Sequence, residues 1–571
     1  MRLLSSGVCG KQWNDSPIRS SAPHRHACHY CRRAAAFSKK KGMTGTPIFA
    51  MWLVVPFVFF LGGCADTPPF RTSLANPPTY CNDVYQEYDN TKNSEDQRRQ
   101  VKSGLKDKER HECWISAWER HAHYDLLSLE FDDQGWLADV ARNPQTAENQ
   151  LTTLVERLNA LMGQSKTDQR PLSIIVYTHG WHHSAAPDDS NVIAFRDLLE
   201  GAARIEQTLC FAKRPPEVGL KTEACTETEN VPLLQKARHV VGIYIGWRGD
   251  SILGPGIENL SIWDRKLAAE KVALGSVQEF YARIHDFYLK HTCHSLGSEN
   301  VASCPDKADV RLLTIGHSFG GLITYRSLAP RLMLGVVETH RSSKGTDQTI
   351  PYAYGFGDLT VLINPAFEGT RYEPLAWAAT HREYQQGEQD RIQKTAQLPY
   401  LIIAQSKGDV ATRYAFPVFR SVTTLLETTH GQESEGNIKT VGWAARYKTH
   451  DLMIDPQHDV CGGPESETDL GKRLNLEAKW SEDQLNGRFR TFNGDLRLCN
   501  GLLLKKTNVD TSPDRLPQKA FMPLWVVQAD ASIIKDHNDF LNPRLVDFVW
   551  QIYYTILRAD DDYMARIFKQ K

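Results

Sequence analysis

Short, almost wholly apolar runs recur along the middle of this 571-residue chain, and stretches with helical spacing alternate with them. Residues 173–177 read SIIVY, 240–245 VVGIYI, 310–315 VRLLTI and 524–528 LWVVQ, and residues 126–131, 359–363 and 400–404 are similar. Helical periods fall between them, over 147–162, 191–209, 268–289, the segment after Ser318, and 542–557. In the first of these, Leu151, Leu154, Val155, Leu158 and Leu161 share a face. A strand apolar on both sides must be covered on both sides. Alternation with helices therefore predicts an α/β fold with a mostly parallel sheet between two helical layers. Ligands of such sheets bind beyond the carboxyl ends of the strands, so the chemistry is expected in the loops there.

Charge argues against one class of function. Sixty-seven basic residues against 68 acidic ones leave a net charge of −1, without the basic face that nucleic acid requires. Hydrophobic residues at 41% and charged residues at 24% are ordinary for a folded chain.

The strand at 310–315 runs into Gly316-His317-Ser318-Phe319-Gly320-Gly321, where a helix begins. This is G-x-S-x-G in the strand–turn–helix setting that gives the pattern its meaning. The turn is tight, and the flanking glycines leave room for a serine hydroxyl pushed out above the sheet. From here the chain resembles the α/β-hydrolase superfamily over roughly residues 120–560. His179-Gly180 follows an early strand, then comes the elbow, then an acid, then a late histidine. The resemblance implies an eight-stranded mostly parallel sheet and a Ser-His-Asp triad without metal or organic cofactor. It implies Ser318 as nucleophile, with the backbone N–H groups of Phe319 and Trp181 as oxyanion donors. His179, Gly180, Gly316, His317 and Gly320 support the motif.

Position selects the remaining members. His537 lies between the strand at 524–528 and the closing helix, where a loop can return to the serine; His450 is its rival. Asp409 follows the strand at 400–404, where a carboxylate can orient an imidazole; Asp530 and Glu368 are its rivals. More than 100 residues separate Asp409 from His537, and the polar stretch 428–518 is expected to be an inserted cap or a decorated loop. The implied activity is hydrolysis of a small-molecule or lipid carboxylic ester. Acyl transfer, thioester hydrolysis, or binding without catalysis remain open alternatives.

The first 63 residues read as an address. Residues 48–61 are apolar, too short for a spanning helix but suited to a signal core, with Lys39, Lys40 and Lys41 before them. Leu61-Gly62-Gly63-Cys64 then resembles the cleavage site of a bacterial lipoprotein signal. That resemblance implies lipidation of Cys64 and, with Ala65 next, an anchor in the outer membrane. A usual signal has about 15–30 residues, so a start at Met43 is open. Cys28 and Cys31, with His26 and His29, would be removed with this leader. Residues 64–119 are expected to be a tether and extension, and 561–571 a tail. Eight cysteines remain after Cys64, an even number that suggests disulfides in an exported chain. Nearest-neighbour pairing gives Cys81–Cys113, Cys210–Cys225, Cys293–Cys304 and Cys461–Cys499.

Overall fold

The computed structural model describes residues 69–91, 94–138, 149–163, 170–212, 237–249, 262–291, 310–337, 340–341, 349–350, 353, 355–381, 399–424, 428, 434–459, 495–507 and 523–569. These belong to one compact unit, Asp66–Lys571. The signal-like segment, Cys64 and the leader cysteines lie outside the described residues.

Thirteen strands run in chain order among the described residues. They are β1 Trp118–Arg120, β2 Tyr124–Phe131, β3 Leu172–Thr178, β4 His239–Trp247, β5 Val310–His317, β6 His340–Arg341, β7 Thr349–Ile350, β8 Leu359–Ile363, β9 Leu401–Ser406, β10 His450–Ile454, β11 Leu496–Arg497, β12 Leu502–Lys506 and β13 Leu524–Ala529. Eleven form one sheet in the order β1-β2-β4-β3-β5-β8-β9-β13-β10-β12-β11. The strands from β2 through β10 in that order are mutually parallel. Antiparallel β1 closes one edge, and antiparallel β12 and β11 close the other.

Each central strand is buried along both faces. In β3, Ile174 and Val176 enter one core with the helices Gln150–Met162, Val277–His291 and Phe319–Val337. Ile175 and Tyr177 enter the other, with the helices Ser190–Ala212 and Pro543–Lys569. The two-residue side-chain period divides one apolar run between two layers.

Several sequence expectations differ from this arrangement. The single helix expected over 268–289 is two helices, Ile262–Val272 and Val277–His291. The break falls where Gly275 meets Gly135: Ser276 donates its N–H to the Gly135 carbonyl at 2.7 Å, and a Cβ on Gly275 would lie 2.2 Å from that oxygen. The stretch 428–518, expected as an inserted cap or a decorated loop, contributes strands in its described part. β10 adds in parallel to β13, and β12 and β11 follow it, so this segment widens the sheet. The period of HDLMI and LLLKK is too short to show these strands against a polar background.

The segment 64–119, expected as a tether and extension, is folded in its described part. Arg71 is fully buried and pairs with Glu119 at 2.6 Å, and its backbone and that of Phe70 donate to Glu130. Three helices follow, Cys81–Asp89, Ser94–Lys106 and Lys108–Trp114, around a small core of Tyr85, Tyr88 and Trp114. At the far end the closing helix continues to Lys569, through most of the expected tail. Cys81 and Cys113 form a disulfide. Cys499 is disulfide-bonded, with Cys461 outside the described residues. The pairs Cys210–Cys225 and Cys293–Cys304 cannot be placed on the described side chains. Among the described residues no helix is long and apolar enough to cross a membrane.

Candidate active site

β5 ends at His317, and Ser318 turns into the helix Phe319–Val337 with φ of +54°. A non-glycine residue there is strained and must be held by its surroundings. Ser318 donates its N–H to the Ile363 carbonyl at 3.1 Å, and its own carbonyl accepts from Ala366 at 3.1 Å and Leu322 at 3.2 Å. The motif glycines are needed for close approach. A Cβ on Gly320 would lie 2.2 Å from the Thr178 carbonyl oxygen, and one on Gly316 would lie 2.7 Å from Thr324 Oγ1. The helix therefore starts hard against the end of β3.

His537 reaches this turn from the loop after β13. Its Nε2 lies 2.8 Å from Ser318 Oγ, and its Nδ1 lies 2.9 Å from Asp409 Oδ2. Asp409 is fully buried in the loop after β9. It accepts from the Thr412 N–H at 3.0 Å, from Gln405 Nε2 at 3.1 Å and from the Thr412 hydroxyl. Burial alone would raise its carboxyl. The hydrogen bond and charge of His537 and the Thr412 donors outweigh burial and hold it below the usual aspartate range. Asp409 is thus held as an anion among Thr412, Gln405 and His537. The acid loop also touches the His537 loop directly: Ser406 Oγ donates to the Ile534 carbonyl at 2.6 Å, and a Cβ on Gly408 would meet the Lys535 carbonyl oxygen at 2.1 Å.

The loop after β3 forms the third wall. His179 is fully buried. Its Nε2 accepts from the Trp247 N–H at 3.0 Å, so Nδ1 carries the proton and donates to the Gly180 carbonyl at 2.8 Å. Burial pushes this imidazole down to about 4, and it stays neutral. Gly180 presses on the elbow, for a Cβ there would lie 2.9 Å from both Ser318 Cβ and His317 Nδ1. Trp181 follows, and the chain turns away at His182, whose φ is +66°. Among the described residues the backbone N–H of Trp181 has no acceptor. Phe319 is the first residue of its helix, where backbone N–H groups lack intrahelical partners.

Two further residues join the three loops. His317 is buried, and its Nε2 donates to the His537 carbonyl at 2.8 Å. Burial and the neighbouring His537 keep its imidazole well below the ordinary histidine range. Asn364, fully buried at the end of β8 with φ of +45°, donates to the same carbonyl at 3.1 Å and to that of Asp536 at 3.2 Å. Its Oδ1 accepts from the Ser406 N–H at 2.8 Å and from Gln405 at 3.2 Å. Asn364 and Thr412 escape the sequence reading. An Asn directly after an apolar strand and before Pro365 is the one available signal for the first.

The rivals lie elsewhere. His450 is buried in β10 beside Trp525 and bonded to the Thr449 hydroxyl at 2.8 Å, and burial pushes it down to about 3. Asp530 pairs with Lys407 at 2.7 Å. Glu368 is buried among Lys266, Arg371 and Arg420. Among the described residues no group of three or more His, Cys, Asp or Glu side chains is placed to hold a metal ion. No protein-family model, curated protein or solved structure matches the chain.

Proposed function

We propose that this chain is a serine hydrolase of the α/β-hydrolase type that cleaves carboxylic esters through an acyl-enzyme. The observation that carries the reading is the hydrogen-bonded series Ser318 Oγ, His537, Asp409, assembled from residues far apart in the chain on a strained serine. The eight consecutive parallel strands, with catalytic groups at their carboxyl ends, support the fold part of the proposal.

The geometry suggests the steps. Asp409 accepts from Nδ1 and so leaves Nε2 free to accept the Ser318 proton. Oγ then attacks the ester carbonyl, and the oxygen of the tetrahedral intermediate takes N–H donors from Phe319 and Trp181. His537, now cationic beside the Asp409 anion, returns its proton to the leaving alcohol. Water, deprotonated by His537, attacks the acyl-enzyme, and as that second intermediate collapses His537 returns the proton to Ser318 Oγ, which leaves and releases the acid. The helix Phe319–Val337 begins at the first of these donors, so its positive end would favour an anion there.

The proposal includes export and a lipid anchor on Cys64. The Cys81–Cys113 disulfide supports an oxidising compartment.

The test is labelling by a fluorophosphonate probe with peptide mapping, beside hydrolysis of short-chain p-nitrophenyl esters. Label on Ser318 and ester turnover, both lost in Ser318→Ala, are expected. Label that persists in that variant, or a wild-type protein inert to both reagents, overturns the reading.

A further inference from the structure

We propose that the helical face immediately after Asp409 docks on the phospholipid surface that holds the protein's own acyl anchor, so that Ser318 works on esters embedded in that surface. This rests on the ester-hydrolase and Cys64-anchor readings above and narrows their substrate to membrane lipid esters.

The observation is a stripe. A π-helical turn, Ala411–Ala415, continues without a break into the helix Phe416–Thr423, since Ala415 and Phe416 both keep right-handed helical angles. Val410, Tyr414, Val418 and Val422 recur every four residues along it and are 65%, 56%, 69% and 59% exposed. Residues four apart share a face of a helix, so these four make one apolar ridge. Isolated exposed apolar residues need no explanation, but a periodic row of large ones beside a catalytic loop does.

The helix is fixed from behind. Phe416, Phe419 and Arg420 form its buried side, with Phe419 against the ring of Trp263 at 3.7 Å and Arg420 paired with Glu368 at 2.9 Å. Its first turn supplies Thr412 to Asp409. The ridge is therefore held against the loop that carries Asp409.

Charge and chain path select the occupant. Residues 410–424 contain no Asp or Glu, while Arg413 stands exposed on the same turn as Tyr414. An apolar face with a cation at its edge suits anionic headgroups. The chain also enters the folded body at the fitting end of the sheet. Phe70 and Arg71 donate to Glu130, next to the last residue of β2, the strand end at which the active-site loops also lie. Phe70 is six residues beyond Cys64, a span of about 20 Å even when fully extended. An acyl chain on Cys64 would keep that end of the sheet within reach of the bilayer.

The experiment uses the full lipidated chain reconstituted into phosphatidylethanolamine–phosphatidylglycerol vesicles that carry a phospholipid with a photoactivatable acyl chain. Label is expected on the peptide 410–423 in the wild type and equally in Ser318→Ala, so the result is independent of turnover. Val418→Asp/Val422→Asp should lose that label about tenfold or more. The same variant should keep hydrolysis of soluble p-nitrophenyl acetate within about twofold and lose about tenfold on vesicle-embedded p-nitrophenyl palmitate. Absence of label from 410–423, or unchanged palmitate turnover in the variant, overturns the proposal. A dimer in detergent that this variant dissociates, without lipid label, assigns the ridge to a second copy and overturns it too. If the peptide is labelled but the wild type hydrolyses neither ester, the docking surface stands and the hydrolase reading fails.

Discussion

His317 donates a hydrogen bond from Nε2 to the backbone carbonyl of His537 at 2.8 Å. The residue before the serine thus holds the loop whose imidazole lies 2.8 Å from that serine. The turn at Ser318, itself buried, does two things at once: it presents the hydroxyl to His537 and holds the loop that carries that imidazole.

Replacement of Ser318 by Ala should lower ester kcat by at least about 10³-fold, since a triad member acts as part of a unit. The buried packing around the elbow is unchanged by removal of one oxygen. Thermal unfolding should therefore shift by only a few degrees, as checked by circular dichroism, while steady-state kinetics reports the loss.

Asp409→Asn should keep the fold and lower kcat by about 10⁴-fold, because the amide cannot both accept from Nδ1 and neutralise an imidazolium. The pH profile carries a further expectation. His179 is pushed down to about 4 and His317 lies well below its ordinary value, so both stay neutral in the working range. The acid limb of log kcat/KM should then fall with a slope of about one, the signature of one essential base. A slope of about two would bring a second imidazole into the mechanism.

Gly180→Ala places a methyl group 2.9 Å from Ser318 Cβ and His317 Nδ1. Something must shift, and the freer partner is the loop that offers the Trp181 N–H. Loss of one oxyanion donor costs about 10²–10³ in kcat, and that is the expected fall. KM for a short-chain ester should change much less, which separates this from a general loss of binding.

Asn364→Ala removes both amide donors that hold the Asp536 and His537 carbonyls. It also leaves a residue with φ of +45° that no longer has a polar side chain bonded locally. A displacement of His537 by an ångström is enough for about a 10²-fold loss in kcat. The rate of fluorophosphonate labelling should drop in parallel, with KM little altered. A variant that is merely less stable would instead recover full rates at low temperature.

Glu368 gives the stability prediction. Burial raises its carboxyl, but Lys266, Arg371 and Arg420 together bring it down to about 2. Its folded value is below its unfolded value of about 4.3, so its contribution is fully present above pH 5. That contribution, on the order of 3 kcal/mol, is lost as pH falls from about 4 toward 2. Glu368→Gln removes the carboxylate shared by Lys266, Arg371 and Arg420, while Glu270 still pairs with Lys266 and Arg371, so it should cost on the order of 3 kcal/mol at pH 7. The gap between the urea midpoints of wild type and variant should narrow to about half by pH 3 and close further toward pH 2. A gap that stays constant with pH would contradict this account.

The sheet was legible because β3, β5 and β13 must be apolar on both faces, and that composition survives in the linear sequence. The elbow was legible because its glycines are required within five residues by contacts of 2.2–2.7 Å. β10, β11 and β12 were not legible, since a strand of two to five residues shows too little period. The split at Gly275 was hidden as well, because its cause is Gly135, a residue 140 positions away.

By itself the sequence determined which residues could be strands, where a serine could sit on a sharp turn, and which histidine lay in a loop after a late strand. Those are local properties, set by side-chain period and backbone sterics. Only the tertiary structure decided that His537 rather than His450 faces Ser318, that Asp409 rather than Glu368 faces His537, and that Asn364 ties their loops together. These choices depend on strand order, and strand order is fixed by the packing of distant segments, which no local pattern encodes.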